Sequence, residues 1–424
     1  MPTGCLKGLV VCLFFALVPA VAGAQVLEQL IFSALASHPS VQSRRAMVDS
    51  ALAEVGGARW QFYPTASVSM EAASASQTDR LYQGDNRVST LRLQQPLWTG
   101  GRLTAGMEKA EASLLVSEHT LEEVRQQLAV RVVQAYGDWL AAHLKVQANE
   151  KSLVSHQRLR QQVIRRISEG ASAESDLTLA MARLEAISAD VSATRALRDI
   201  ALARLRLLLG RPVDIPALGA AVAVARPATY DAQTLLDLAM TNNPGIQKAL
   251  AQTRVQASVI DERHADLSPD VYVRVERQYG NYAFSNAPPE NRVFVGLSTR
   301  FGAGLSAMSN VEAAKNQHRA ALADEEVQMR AINEQVLSDH AQAISLVTRM
   351  TALRASLDAA RQVSESYDRQ FLAGRKSWLD LMNAARELAQ TETQLADVEA
   401  AQLVVSWRLV IATEGIAAVT GGAH

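Results

Sequence analysis

Two aspartates that each follow a glycine at the same spacing are side chains of this sequence that could do chemistry. Asp176 lies six residues after Gly170, and Asp380 lies six residues after Gly374. Carboxylates at such turns can attract cations or pair with basic side chains. Ser377 and Asp380 also have the spacing of a helix capping box, and glycines at these places are suited to ending a helix with a positive φ. The chemical role and the structural role can coexist.

No catalytic motif is present in the sequence. It contains no His-Glu-x-x-His pattern, phosphate-binding loop, nucleophile elbow or paired metal ligands. The eight histidines are scattered, and we expect Asp339-His340 and the run 261–264 to lie on helix surfaces and not to bind metal. We therefore predict a protein that is not an enzyme and that uses no cofactor or metal. The net charge of −1 argues against nucleic-acid binding.

A long stretch without proline, residues 103–167, organises the first half of the chain. Leu114, Leu121, Leu128 and Ala135 recur every seven residues within it, and polar residues separate them. This pattern predicts one continuous helix that packs along its whole length. At about 1.5 Å per residue, the helix would be roughly 100 Å long.

Residues 1–24 are predicted to be a secretory signal. Lys7 precedes the apolar run 9–18, and Ala-Gly-Ala at 22–24 forms a cleavage site, so the mature chain would start at Gln25. An uncleaved membrane anchor is the less favoured alternative. Both cysteines lie in this segment, so the exported chain would have no disulfides. No later stretch has 18 consecutive apolar residues, and we expect the exported protein to be either soluble or a β-barrel.

The chain repeats one plan twice. Residues of the same type recur 205 positions apart: Pro39 and Pro244, Pro64 and Pro269, Glu71 and Glu276, Arg87 and Arg292. We predict two equivalent structural repeats, 25–210 and 231–424, joined by a proline-containing linker at 211–230.

Each half is predicted to contain two short helices, two strands, a long helix, a glycine turn and a returning helix. The predicted helices are 26–37, 40–59, 103–167 and 174–209, then 232–242, 245–265, a second long helix ending before the second glycine turn, and 377–413. The predicted strands are 61–75, 87–98, 270–284 and 291–301. Alternation along them predicts one wet and one apolar face. Aromatic residues gather near the strand ends, which is typical of membrane-interface girdles, although aromatic residues also favour strands in general.

The number of strands has a consequence for assembly. Four strands cannot close a barrel around a pore, and open sheet edges cannot face lipid. Three chains would supply twelve strands, an even antiparallel number with room for a lumen. The helices of the same homotrimer would form a second tube. The predicted fold class is therefore mainly α with a membrane β-barrel portion.

Three local motifs, taken with the repeated plan, resemble the TolC family of outer-membrane channel-tunnels. They are 61–64 (Gln-Phe-Tyr-Pro) at the entry to the first strand, 95–102 (Gln-Pro-Leu-Trp-Thr-Gly-Gly-Arg) at the exit of the second, and 371–383 around the second glycine turn. The resemblance covers the whole mature chain. It implies a trimer whose 12-stranded β-barrel, with four strands per chain, lies in the lipid of the cell outer membrane. A long α-helical barrel would continue it into the periplasm.

The resemblance also implies a constriction at the periplasmic mouth. In this family, two acidic positions on the final helix ring the constriction. They map to Asp380 and to Asn383, and the second departs from the family pattern. A trimer would then present three carboxylates instead of six. This departure weakens the expectation that multivalent cations bind tightly there.

The two hairpin turns, at Gly170 and Gly374, would form the rim of this mouth. The resemblance implies that the mouth is closed at rest and opens like an iris. Links that hold it shut would involve Asp176 in the first hairpin, and Phe371 and Lys376 in the second.

The run Trp-x-Asp-x-x-Asn-x-x-Arg-Glu at 378–387 looks most like family members that serve type I secretion. The implied function is export of a large adhesin or RTX-type protein, with a periplasmic adaptor (membrane fusion) protein and an inner-membrane ABC transporter as partners. One alternative is the outer-membrane component of a multidrug efflux pump, with a proton-driven pump as partner. The alternative of another class is a soluble periplasmic coiled-coil adaptor or scaffold.

Overall fold

The structure is a computed structural model that describes residues 22–74, 79–213, 231–299 and 306–419 of the 424-residue chain. Some of the sequence-based predictions fall outside the described residues. They are most of the signal sequence 1–24, most of the linker 211–230, and the end of the last predicted strand at Phe301.

Helices make up most of the described chain. In the first half they are α1 (Ala22–Ser37), α2 (Pro39–Trp60), α3 (Arg102–Ser168) and α4 (Glu174–Leu209). In the second half they are α5 (Ala232–Asn242), α6 (Pro244–Ala265), α7 (Ser306–Leu372), α8 (Trp378–Thr413) and the short α9 (Gly415–Val419). The predicted long helix is confirmed as α3, which is continuous over 67 residues.

Local chemistry explains where α2 and α6 begin. Each starts with a proline, Pro39 or Pro244, whose missing N–H would have no helical partner at that position. The preceding side chain caps the helix: His38 Nδ1 accepts from the Ser40 N–H at 3.2 Å, and Asn243 Oδ1 accepts from the Gly245 N–H at 2.9 Å.

The strands form one antiparallel sheet in the order β1-β2-β3-β4. Their bounds are β1 Thr65–Ala72, β2 Arg87–Trp98, β3 Asp270–Tyr279 and β4 Glu290–Ser298. The first and third strands are shorter than the sequence predicted. For β3 the reason is Gly280, whose φ of 83° turns the chain away from the extended conformation. The fold class, mainly helical with a small antiparallel sheet, is confirmed.

The chain forms two compact units. Among the described residues, one contains 22–34, 132–213 and 346–407, and the other contains 35–74, 79–131, 231–299, 306–345 and 408–419. Each unit combines segments from both predicted repeats.

The core of the first unit includes Tyr136 and Trp139 of α3, both fully buried. Between them lies Gly137, where the helix approaches α8 so closely that a Cβ atom would overlap Cγ2 of Val404. A side chain at this position would push α3 and α8 apart, because buried Val404 has no space to move into.

We expect Gly137→Ala to destabilise the protein by about 1 kcal/mol. Overpacking costs about 1–3 kcal/mol, which exceeds the roughly 0.5–1 kcal/mol that alanine gains over glycine within a helix. Gly106→Ala, in the same helix, is the matched control, because no atom lies within 4 Å of its added Cβ. Thermal unfolding followed by circular dichroism should show a lower midpoint for Gly137→Ala and an equal or higher one for Gly106→Ala. Equal shifts would contradict the close approach.

In the second unit, Leu235 and Ala239 of α5 pack with Val336 of α7 and Leu409 of α8. Close to this cluster, the structure corrects the expectation that Asp339 lies on a helix surface. Asp339 is fully buried, and both its oxygens accept from Arg408: Oδ2 from Nε at 2.8 Å and Oδ1 from the terminal nitrogen. A buried carboxylate is tolerated because the guanidinium pairs with it through two hydrogen bonds.

Candidate functional site

Two regions have the chemistry that a functional site requires. The first contains the two hairpin turns, in the first compact unit, and the second is the sheet, in the second unit.

The two hairpin turns have the same hydrogen-bond pattern. Gly170 and Gly374 both have a φ of 71°, and their N–H groups donate to the carbonyls of Ile167 and Phe371 at 3.0 Å. The residue after each glycine donates to a carbonyl five positions earlier, which is the Schellman pattern.

A hydrophobic cluster ties the two turns together. It includes Leu159 and Val163 of α3, Phe371 of α7, and Trp378 and Leu381 of α8. The Phe371 ring is 2% exposed, and its centroid lies 6.0 Å from that of Trp378. The sequence predicted Phe371 as a link in the gate, and the structure places its side chain in the core of this cluster.

Arg166, which sequence reasoning missed, connects the first hairpin to the second. Its Nη1 donates to the Phe371 carbonyl at 3.1 Å, and its guanidinium carbon lies 4.5 Å from the centroid of the Phe371 ring. The same side chain therefore makes a charge-assisted hydrogen bond and a cation–π contact. No local pattern could have revealed this contact, because the two residues are 205 positions apart.

Asp380 lies in the first turn of α8 and forms the predicted capping box with Ser377. The Ser377 hydroxyl donates to Asp380 Oδ2 at 2.8 Å, and the Asp380 N–H donates back to Ser377 Oγ at 3.1 Å. The hydrogen bond from the Ser377 hydroxyl lowers the pKa of the Asp380 carboxyl below its ordinary value. Partial burial raises this pKa, whereas the Ser377 N–H and the Lys376 charge lower it further. The Lys376 ammonium lies 3.8 Å from the carboxylate and 4.3 Å from the Tyr367 ring centroid.

Asp176 occupies the corresponding place in α4. Its Oδ2 accepts from the Ala173 N–H at 3.3 Å, and its own N–H donates to the Ala173 carbonyl at 3.0 Å. Within the described part of a single chain, Asp176 and Lys376 form no ion pair with each other, and Lys376 pairs with Asp380. Asn383 is exposed, three residues after Asp380 on the same helix.

We expect Ser377→Ala to raise the pKa of Asp380 towards its ordinary value of about 4. Because the folded-state pKa is depressed, the carboxylate stabilises the start of α8 above the unfolded-state pKa. This contribution is lost as the pH falls through the folded-state pKa. In Ser377→Ala the folded-state and unfolded-state pKa values lie closer together, so stability should fall less at acidic pH than in wild type. Thermal midpoints measured between about pH 3 and 6 would show this, with Asp380→Asn as the variant that removes the titration. Superimposable wild-type and Ser377→Ala profiles would contradict it.

The sheet has two faces of opposite character, which the strand register defines. On the apolar face, Leu93 lies between Ala66 and Val275, and Val275 pairs with Val293. The larger apolar side chains of this face are exposed: Val68, Met70, Leu91, Leu93, Val275, Val293, Val295 and Leu297. They form a band that spans the sheet and that no described residue of a single chain covers.

On the opposite, polar face of the sheet, charged side chains form ion pairs with one another. Arg92 donates to Glu276 at 2.6 Å from the neighbouring strand, and Arg274 lies 2.9 Å from the same carboxylate. On β4, Arg292 pairs with Glu290. The predicted alternation of wet and apolar residues is therefore confirmed in the register of the strands.

Aromatic side chains lie near both ends of the sheet. Trp60, Phe62, Tyr63 and Trp98 are exposed at the end that meets the helices, and Tyr82, Tyr279 and Phe284 are exposed at the end that carries the loops. The rings are thus separated by the apolar band, which is the arrangement of interfacial girdles.

The two loops at that end are joined to each other. Asp85 is the central residue: its Oδ2 accepts from the Asn281 N–H at 3.0 Å and its Oδ1 from the Asn286 N–H at 3.2 Å. The Gly84 N–H donates to the Tyr282 carbonyl at 2.6 Å. One carboxylate therefore holds both loops in place.

Within the described residues, no group of three or more His, Cys, Asp or Glu side chains is arranged to hold a metal ion. None of the helices in this part of the chain combines the length and the apolar character that a membrane span requires.

Comparisons with known proteins agree with this geometry. The model of the outer membrane efflux protein family matches residues 30–211 and 235–413. The alkaline protease secretion protein AprF of Pseudomonas aeruginosa is 26% identical over 332 residues, which cover 75% of this chain and 67% of AprF.

Solved structures show the same fold. The outer-membrane channel OprN matches with a TM-score of 0.78 at 22% identity, over 92% of this chain and 90% of OprN. CusC, whose structures concern transmembrane channel formation, matches with a TM-score of 0.78 at 19% identity, over 91% of each chain. Because the family model covers both halves of the sequence and the fold is that of these channels, the chain belongs to the outer membrane efflux protein family and is an outer-membrane protein.

Proposed function

We propose that three copies of this chain form a passive export duct through the outer membrane. The observation that carries the proposal is the four-stranded sheet, which has an exposed apolar face, an ion-paired polar face and two free edges, β1 and β4. The apolar face would contact lipid, and the polar face would line the lumen. Joining β4 of one chain to β1 of the next would close a 12-stranded barrel and remove every open edge.

The helices would form the periplasmic part of the same duct, with the hairpin turns at its mouth. We propose that Gly170 and Gly374 shape the rim and that Asp380 contributes a ring of three carboxylates, with Asn383 one turn further along. The Schellman geometry and the capping box support this proposal, because both fix the turns in one conformation. We also propose that 1–24 is removed and that 25–210 and 231–424 arose by duplication around 211–230.

Type I protein secretion is the transport route that we favour. Its support is AprF, a protein named for the secretion of alkaline protease, together with the run 378–387 that resembles secretion members. The partners would be a periplasmic adaptor and an inner-membrane ABC transporter, and the cargo a large adhesin or RTX-type protein. Multidrug efflux with a proton-driven pump is the second candidate, and the efflux family match supports it. The same match argues against a soluble coiled-coil scaffold.

Cross-linking across the free edges tests the trimer. Both cysteines of the sequence lie in the signal segment, so a pair of introduced cysteines would be the only thiols of the mature chain. We expect one of the positions 66–70 of β1, changed to cysteine in a Val295→Cys background, to give disulfide-linked trimers on a non-reducing gel. Within one chain these strands are three spacings apart, or about 14 Å, which is too far for a disulfide.

The control for this experiment is Leu93→Cys with Val295→Cys, because Leu93 lies on an inner strand that no neighbouring chain can reach. The wild-type protein should also require detergent for extraction from the outer-membrane fraction. A water-soluble monomer that gives no cross-linked species for any of the β1 positions would refute the duct.

A double substitution tests the proposed latch at the mouth. We expect Asp176→Ala with Lys376→Ala to raise single-channel conductance in planar bilayers, because the charges that link neighbouring hairpins of the closed trimer would be gone. Lys248→Ala is the control: this residue pairs with Glu123 at 2.7 Å in the other compact unit and should leave conductance unchanged. Conductance equal to wild type in the double variant would exclude these residues as a latch.

A further inference from the structure

Two arginines lie on the apolar face of the sheet. Arg277 pairs with Leu91 across β2 and β3, which places it on the face that carries Leu91 and Val275. Arg87 lies four residues before Leu91 on the same strand, so it shares that face. Both side chains belong to exposed residues. Arg87 and Arg277 are called the apolar-face arginines below.

The apolar-face arginines differ from the arginines of the polar face. Arg92, Arg274 and Arg292 are each paired with a carboxylate of their own face. Among the described residues, neither of the apolar-face arginines forms an ion pair. In this part of the chain, Arg277 does make a cation–π contact, in which its guanidinium carbon lies 5.3 Å from the Tyr279 ring centroid. Two exposed cations on an apolar surface are therefore left without anions.

Their position along the strands is specific. Arg87 is the first residue of β2 and lies at the loop end of the apolar band. Arg277, level with Leu91 and Val68, lies within the loop-side half of the band, two residues before Tyr279. Arg277 is level with Leu91, which lies four residues, or roughly 13 Å, from Arg87 along β2. Both arginines belong to inner strands of the sheet, so a strand added to either edge would leave them uncovered.

We propose that Arg87 and Arg277 bind the phosphate groups of the phosphorylated glycolipid in the outer leaflet of the outer membrane. The inference rests on the proposed function, in which the loop end of the sheet faces outwards and the apolar band meets lipid chains. Arg87 lies at the edge of that band, at the level of the lipid headgroups. The long Arg277 side chain, whose guanidinium lies near the Tyr279 ring, extends from within the band towards the same level. Each planar guanidinium donates two parallel hydrogen bonds to a phosphate. Charge complementarity identifies the occupant, because a phosphorylated headgroup supplies the missing anions and its acyl chains cover the apolar side chains beneath.

Lipid binding to the purified full-length protein tests the proposal. The protein, in an uncharged detergent, is titrated with bisphosphorylated lipid A, and bound lipid is counted by native mass spectrometry. We expect Arg87→Gln with Arg277→Gln to weaken binding about 30-fold, from roughly fivefold for each arginine near an anionic lipid. Dephosphorylated lipid A should bind weakly to the wild type and to the variant alike. The double lysine variant keeps the charge but not the bidentate hydrogen bonds, so its binding should lie between that of the wild type and that of the double glutamine variant.

Arg292→Gln is the matched control, since it removes the same charge from the polar face of the same sheet, and it should bind lipid A as the wild type does. Three results would overturn the proposal: unchanged binding in the double glutamine variant, an equal loss in Arg292→Gln, or binding of phosphatidylglycerol as tight as that of lipid A. All three measurements are made on protein that needs detergent and forms the cross-linked trimer. Any of these results would therefore refute the lipid site and leave the proposed duct intact. A water-soluble monomer would instead refute the duct itself.

Discussion

Replacing Asp339 by alanine is expected to lower the free energy of unfolding by about 3 kcal/mol. The substitution leaves Arg408 facing a protein interior from which its carboxylate partner has been removed. Asp339 is fully buried, whereas the Arg408 side chain is 30% exposed, so water can reach part of the guanidinium. For this reason the expected loss lies at the lower end of the range for broken buried ion pairs.

Two comparison variants test whether the loss of stability comes from the buried Arg408 charge that Asp339→Ala leaves unpaired. Glu326→Ala breaks an exposed ion pair with Arg330 on the same helix, and it should change stability by no more than about 0.5 kcal/mol. Asp339→Leu with Arg408→Met replaces both charges by apolar groups and should recover most of the loss. Thermal and denaturant unfolding of the purified protein would measure all three variants. If Asp339→Ala and Glu326→Ala shifted the midpoint equally, the buried pair would have no special effect.

Leu93→Arg is expected to prevent most of the protein from assembling in the outer membrane. Leu93 lies in the middle of the apolar band, and an arginine on the lipid face of a barrel costs about 2–4 kcal/mol near the bilayer midplane. A trimer would carry the charge three times, so the penalty triples. The measurement is the amount of trimer in the outer-membrane fraction, compared with wild type.

Thr90→Arg provides the comparison on the same strand. Thr90 lies on the polar face, opposite Ser69 and Gln278, and in the proposed duct it meets water. The same added charge should therefore leave the amount of trimer close to that of wild type. Equal losses from the two substitutions would show that the two faces do not differ in their surroundings, and the proposed orientation of the sheet would then be wrong.

The elements of this fold could be predicted from the sequence because each has a local cause. Pro39 and Pro244 set the start of a helix, the seven-residue recurrence gave α3 its length, and period-two alternation identified the strands. These signals act over a few residues. The end of β3 was placed too late because the apolar and aromatic residues after Tyr279 resemble a strand, while Gly280 turns the chain.

The contacts between distant segments could not be predicted in the same way. Asp339 was expected on a surface because nothing near it in the sequence shows that Arg408 approaches it. Arg166 was missed for the same reason, since its partner is the backbone of Phe371. At the candidate site, the capping of α8 by Ser377 and Asp380 was predictable from a three-residue spacing. The roles of Asp176, Lys376 and Asn383 in a gate remain predictions.

The pairing of β2 with β3 also determines the order in which the protein can mature. Leu91 and Arg277 are neighbours in the sheet but 186 positions apart along the chain. During synthesis, β2 is therefore complete long before its partner exists, and its hydrogen-bonding edge and apolar side chains stay exposed in the meantime. Pairing over so many residues is slow and leaves the chain open to aggregation. We therefore expect a copy whose second half is missing to aggregate more readily than the full chain, because the edge and the apolar side chains of β2 then stay uncovered.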